Sequence, residues 1–146
     1  MKTLIGHIGI DSGQVLICDP CYIDSEWESE EFTDDRIYQH KDGTILKLRE
    51  DFPRFDRVIP KYDKDMNALI KDNEVTELPP IPAEKEFSYN ACCKKTLSED
   101  RYGQLNYRWG YPGVGVVSST AFGDGYYPVY ADKDKYGTIK RLIIEF

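Results

Sequence analysis

Long apolar runs are missing from this 146-residue chain, so no segment approaches the roughly 20 residues that a membrane-spanning helix needs. Histidine is scarce: His7 and His40 are the only imidazoles. Neither belongs to a Ser-His or Cys-His pattern, which leaves a hydrolase triad without its base. Nucleophile elbow, P-loop, zincin helix and dinucleotide fingerprint are all absent. A second well-spaced cysteine pair is also lacking. Cys18 and Cys21 form a C-x-x-C, but Cys92 and Cys93 are adjacent and make a poor second half of a zinc site. A redox C-x-x-C wants a helix N-terminus to depress a thiol pKa, whereas Cys18 ends an expected strand. Reduced, buried cysteines are therefore expected. The first residues, Met1 to His7, are too few and too polar for a signal peptide, and the cytoplasm is the expected location.

Positive charge is in deficit too. The net charge is -7, and residues 19–35 carry 8 acids with no Lys or Arg, leaving 18 acids against 19 bases elsewhere. Such a segment repels a nucleic-acid backbone, so direct nucleic-acid binding is not expected. It reads as a solvated loop, with attraction of a basic protein partner as the alternative.

What the chain does have is tyrosine, 11 copies, and strand patterning. Leu4, Ile8 and Ile10 alternate with Ile5, His7 and Gly9. Asp11-Ser12-Gly13 is a turn signal, and Gln14–Cys18 returns as a strand, which together predict an N-terminal β-hairpin ended by Asp19-Pro20. Acidic residues 24–35 suggest one helical turn around Trp27. Lys41-Asp42-Gly43 lies between extended runs and predicts a hairpin. Residues 62–72 predict a helix with Asp63 as N-cap and Met66, Leu69 and Ile70 on one stripe. Pro79, Pro80 and Pro82 mark a stiff crossing between halves, neither of which shows a core of its own. Phe87–Thr96 is expected as a strand, and Ser98 as the cap of a short helix. Val114–Ala121, Tyr126–Ala131 and Thr138–Phe146 predict an antiparallel three-strand meander. The expected fold is α+β and β-rich. It is a curved antiparallel sheet or a small barrel or sandwich, with one or two short helices. Residues 1–146 form one domain, and 24–85 are an elaboration within it.

Two glycine-turn motifs bracket this fold. The first is Asp11-Ser12-Gly13 followed by Asp19-Pro20-Cys21-Tyr22; the second is Gly123-Asp124-Gly125-Tyr126. Asp at a turn bonds its own backbone, so turn chemistry explains much of both. If the motifs meet, Asp11, Ser12, Asp19, Ser118, Ser119, Asp124, Gly125 and Tyr126 are the candidate ligand-binding residues. Tyr107, Trp109, Tyr111, Phe122 and Tyr127 supply rings that can line a pocket or stack a base. No cofactor is expected. Convergence of Asp11, Asp19 and Asp124 on Mg²⁺ or Ca²⁺ is the alternative, and it would suit a metal-dependent phosphoester hydrolase. A purely structural or protein-interaction domain is the third possibility.

The order Asp11-Ser12-Gly13, Asp19-Pro20-Cys21-Tyr22, then Gly123 to Tyr130 before a terminal apolar strand, resembles a family of small bacteriophage and bacterial proteins known only as a domain of unknown function. Ser88 to Cys92, Thr96 to Ser98 and Gly113 to Thr120 fit the same resemblance, which spans about residues 5–23 and 86–146. It implies no reaction. It suggests a phage or bacterial accessory protein, more binder than enzyme, that acts in the cytoplasm of a bacterium or of a phage's host on a small molecule, including a nucleotide-like one, or on a host protein.

Overall fold

In the computed structural model, which describes residues 2–146, strand and helix boundaries follow local chemistry, while the pairing of the N-terminal strands is set by remote segments. The first elements are β1 (Lys2–Ile10), β2 (Gln14–Cys18) and α1 (Tyr22–Ser25). Next come β3 (Ile37–His40), β4 (Ile45–Lys47), β5 (Val58–Ile59), β6 (Lys64–Asp65), α2 (Met66–Lys71) and β7 (Val75–Glu77). The chain closes with α3 (Tyr89–Thr96), β8 (Tyr102–Asn106), β9 (Pro112–Ser119), β10 (Gly125–Lys133) and β11 (Ile139–Ile144). The β-rich α+β class is as expected. The strands divide among separate small antiparallel sheets, ordered β1-β10-β11, β2-β9-β8, β4-β3-β7 and β5-β6, and do not close into a barrel.

The N-terminal hairpin does not form, and of the three-strand meander only the second half does, as the antiparallel β10–β11 pair. β1 pairs with β10, from Lys2 opposite Asp132 to Ile10 opposite Gly125, while β2 pairs with β9, from Gln14 opposite Ser119 to Cys18 opposite Gly115. The two registers run on from one another. Residues 2–18 and 115–132 thus make one long antiparallel ribbon that is bent at residues 11–13 and 120–124. Each half of the ribbon gains a third strand, β11 on one side and β8 on the other. Strands that pass from one sheet to another do so through such irregular corners, because a bulged turn lets the ladder change direction without ending.

On the β2-β9-β8 sheet, period-two alternation sends Leu16, Cys18, Val117 and Leu105 inward. There they meet Phe87, Ala91 and Cys92 in one core cluster. The helix in that cluster is α3, where a strand is expected from sequence. Ser88 decides it: its Oγ accepts the Ala91 N–H at 3.0 Å, an N-cap that turns Cys92 and Cys93 into helix residues. Residues 98–101 form a turn rather than the expected helix. β8, not foreseen in the sequence, packs directly under α3, where Gly103 gives room to the Lys95 stem.

A second core lies within residues 38–75. It joins Tyr38, Leu46, Leu48, Phe52, Ile59, Met66 and Leu69, so the segment expected to lack a core has one. The β3–β4 hairpin forms around Lys41-Asp42-Gly43 as predicted. The helix that supplies Met66 and Leu69 is capped by Asp65, not Asp63: Asp65 Oδ1 accepts the Ala68 N–H at 2.7 Å.

The acidic segment is a strap rather than a solvated loop. Glu30 accepts N–H groups from Glu84 (3.1 Å), Lys85 (2.6 Å) and the Asn90 side chain (2.6 Å). Glu28 faces Lys85 and Arg108, each at 3.4 Å, and Glu26 accepts the Arg108 backbone N–H. Asp34 grips Arg36 with both oxygens, and Asp35 pairs with Lys94. Five of the segment's acids are thereby spent on internal partners, several beside the N-terminus of α3, where the helix dipole favours negative charge. The helical turn in this region is α1, which ends before Trp27.

Candidate functional site

The bend in the ribbon is where the two glycine motifs meet. The Thr120 N–H donates to the Gly13 carbonyl at 2.9 Å, carrying the ladder through the bend. Gly13 has φ +66, and a Cβ there would stand 3.7 Å from the Gly123 Cα and 4.0 Å from Asp124 Oδ1. A Cβ at Gly13 would make only ordinary contact with the opposite turn, so it is the left-handed backbone that favours glycine there. The Gly123 carbonyl accepts the Tyr127 hydroxyl at 2.7 Å and also the Thr120 hydroxyl. A Cβ at Gly125 would lie 3.1 Å from the Tyr127 ring and hydroxyl, so glycine is what lets that ring fold back over the corner.

The corner presents Asp11, Ser12, Phe122, Asp124, Gly125 and Tyr126, all exposed. Among the described residues, neither the Asp11 nor the Asp124 carboxylate accepts a hydrogen bond or joins an ion pair. Tyr126 stacks on His7, with ring centroids 4.8 Å apart and planes 5° apart, and is 73% exposed. Phe122 is 80% exposed.

Two of the predicted residues do not share one surface, and a third is elsewhere. Ser118 and Ser119 are neighbours on β9 and point to opposite faces. Ser119 turns inward and donates to the Thr96 carbonyl at 3.3 Å, tying the end of α3; Ser118 lies on the outer face, opposite Val15 and Tyr102. Asp19 follows the far end of β2, roughly 20 Å along the strand from Gly13 at ~3.3 Å per residue. Its Oδ1 accepts the Cys21 N–H at 3.0 Å, and that backbone hydrogen bond holds its carboxyl below the usual carboxylate range. The convergence of Asp11, Asp19 and Asp124 on one cation is therefore not found. Among the described residues no group of three or more His, Cys, Asp or Glu side chains is placed to hold a metal ion.

Beneath the corner lie residues that sequence reasoning passed over. Buried Gln14 donates to Cys93 Sγ at 3.4 Å and accepts the Thr96 hydroxyl at 3.1 Å, joining α3 to the start of β2. Tyr89, one helical turn before Cys93, is half exposed at 44%. The neighbouring Cys93 thiol pushes its phenol above the ordinary range, with a smaller contribution from the negative charge of Asp124. The i, i+4 spacing of Tyr89 and Cys93 would have signalled this pair had the segment been read as a helix.

Cavities are found away from the corner. A cavity of about 360 Å³ lies between the end of β7 and α3, lined by Phe32, Leu78, Pro80 and Leu97 and by the already paired Arg36 and Lys94. A wider opening beside it reaches Thr96, Arg101 and Ser119, so of the predicted residues Ser119 alone touches these two spaces. Among the described residues no helix is long and apolar enough to cross a membrane. No protein-family model, curated protein or solved structure matches this chain.

Proposed function

We propose that this chain is a non-enzymatic binding protein that engages a protein surface bearing basic side chains, with the corner formed by the Asp11-Ser12-Gly13 and Gly123-Asp124-Gly125 turns as its contact site. The observation that carries this reading is the meeting of the two turns at Gly13 and Gly123, with both carboxylates and two exposed rings at one corner. Unpaired carboxylates beside aromatic rings complement Lys and Arg, which gain from both the charge and the ring faces. A nucleotide suits the corner less well. Its phosphates would meet the two negative charges of Asp11 and Asp124. A role as a phage or bacterial accessory protein, acting in the cytoplasm on a host component, goes with this reading.

The test is a titration of the full chain with an arginine-rich oligopeptide and, separately, with Mg²⁺ and nucleoside triphosphates. Binding of the peptide that falls severalfold in the Asp11→Asn/Asp124→Asn variant and weakens with salt supports the proposal. A melting-temperature rise with nucleotide or Mg²⁺ that the same variant abolishes would overturn it in favour of a small-molecule or metal site.

A further inference from the structure

The β8–β9 connection ends in an exposed aromatic tip at the pole opposite the corner. The Gly110 N–H donates to the Tyr107 carbonyl and the Tyr107 N–H to the Tyr111 carbonyl, both at 2.8 Å. These two bonds close a tight turn with Arg108 and Trp109 at its apex. Trp109 is 73% exposed and Tyr111 70%. Their rings form a connected series with Tyr107: centroids lie 5.9 Å apart for Tyr107–Trp109 and 6.4 Å for Trp109–Tyr111.

The tip is braced from behind by the acidic strap and α1. Glu26 accepts the Arg108 backbone N–H at 3.1 Å, and Glu28 faces the Arg108 guanidinium at 3.4 Å. Tyr22 of α1 meets Tyr107 edge-on at 5.1 Å. The rings are thus held out on a turn braced by hydrogen bonds from the Tyr107, Arg108 and Gly110 N–H groups, which leaves a partner little to order. Large apolar side chains left in water on a rigid turn are the signature of an interface anchor, because a rigid Trp or Tyr buries much area at little entropic cost.

Charge around the tip selects the partner. Glu26 and Glu28 are taken up by Arg108 and Lys85, which leaves Asp19 and Asp24 as the acids of residues 19–28 that form no ion pair among the described residues. Asp19 and Asp24 are exposed carboxylates within three residues of Tyr22, the residue that packs on Tyr107. We infer that Trp109 and Tyr111 form the anchor of a protein-docking surface that inserts into an apolar pocket rimmed by Lys or Arg on the partner. This inference rests on the reading of the chain as a binder of basic protein surfaces, and it places the main binding energy at the tip rather than at the corner.

The experiment pans a displayed random-peptide library on the full chain and measures each enriched peptide against three proteins. These are the unaltered chain, Trp109→Ala/Tyr111→Ala, and the corner variant Asp11→Asn/Asp124→Asn. The expected result is enrichment of basic peptides carrying aliphatic or aromatic residues. Their affinity should drop about thirtyfold in the tip variant, as hot-spot residues do, and severalfold in the corner variant. Circular dichroism spectra and melting curves of the tip variant should match the unaltered chain, since the truncated rings are exposed; Trp109→Phe, which keeps a ring, should retain most of the affinity. Peptides sensitive to the corner variant but indifferent to the tip variant would overturn the tip and leave the corner standing. Peptides sensitive only at the tip would uphold the tip and remove the corner. Enrichment of acidic peptides, or of none, would overturn the inference.

Discussion

Replacing Glu30 by Ala should destabilise the protein by about 2–3 kcal/mol, a large effect for an acidic residue in an acidic segment. Its carboxylate accepts three N–H donors, from Glu84, Lys85 and the Asn90 side chain, at 3.1, 2.6 and 2.6 Å. Hydrogen bonds to a charged group contribute roughly 1.5–3 kcal/mol each when buried. Here the site is partly open, and the abandoned donors can reach water, which brings the total down to about 2–3 kcal/mol. For a chain of this length that corresponds to a fall in Tm of roughly 5–10 °C, read by calorimetry or by circular dichroism. Glu30→Gln keeps one acceptor oxygen and should lose about half as much. The Asn90 and backbone hydrogen bonds hold the Glu30 pKa below its ordinary value against the opposing effect of burial, the largest single influence on it. The stabilisation is therefore complete above the ordinary carboxylate range and is lost as pH falls through the lowered folded-state value. Exposed Glu31 is the control, and Glu31→Ala should change stability by less than about 0.5 kcal/mol. If Glu30→Ala proves as silent as Glu31→Ala, the strap is a solvated loop and the reasoning fails.

Gly115→Ala should lower the urea midpoint by an amount equivalent to about 1–3 kcal/mol, since its Cβ would meet the Ile17 carbonyl at 3.0 Å and Leu16 at 3.3 Å inside the core. Lys94→Ala strands the Asp35 carboxylate and should cost about 2–3 kcal/mol in the same assay, with Lys94→Ala/Asp35→Ala costing less than the single change. Cys21 is exposed, whereas Cys92 is buried and burial pushes its thiol up to about 12. Iodoacetamide at mildly alkaline pH should therefore label Cys21 well before Cys92 by mass spectrometry, and equal rates would contradict the packing of α3.

Individual strands were legible in the sequence because alternation is local: β1, β2, β9, β10 and β11 all stand close to where Leu4–Ile10, Val15–Ile17 and the C-terminal runs place them. Of their partners only the local β10–β11 pairing was legible. Asp11-Ser12-Gly13 carries the chemistry of a hairpin turn, and a corner that bends a ribbon uses the same residues for the same φ. Only the far strand, 110 residues on, tells the two apart. α3 was missed because Phe87, Tyr89, Cys92 and Cys93 suit a strand, and the Ser88 cap outweighed them. The acidic strap read as solvated because its partners, Lys85, Lys94 and Arg108, are remote in sequence. At the candidate site the turns and Tyr126 were found, whereas Asp19 was included because its distance from Asp11 depends on β2 running straight. The strand alternation that separates Ser118 from Ser119 was available all along.

The central claim is that the two glycine turns build one protein-binding corner, and amide chemical-shift mapping by NMR during titration with an arginine-rich oligopeptide tests it most directly. The account predicts that residues 11–13 and 122–126 shift together at the same peptide concentration, and that the shifts weaken with added salt. Shifts at one turn without the other, or shifts confined to the cavity lined by Leu78, Pro80 and Leu97, would contradict it.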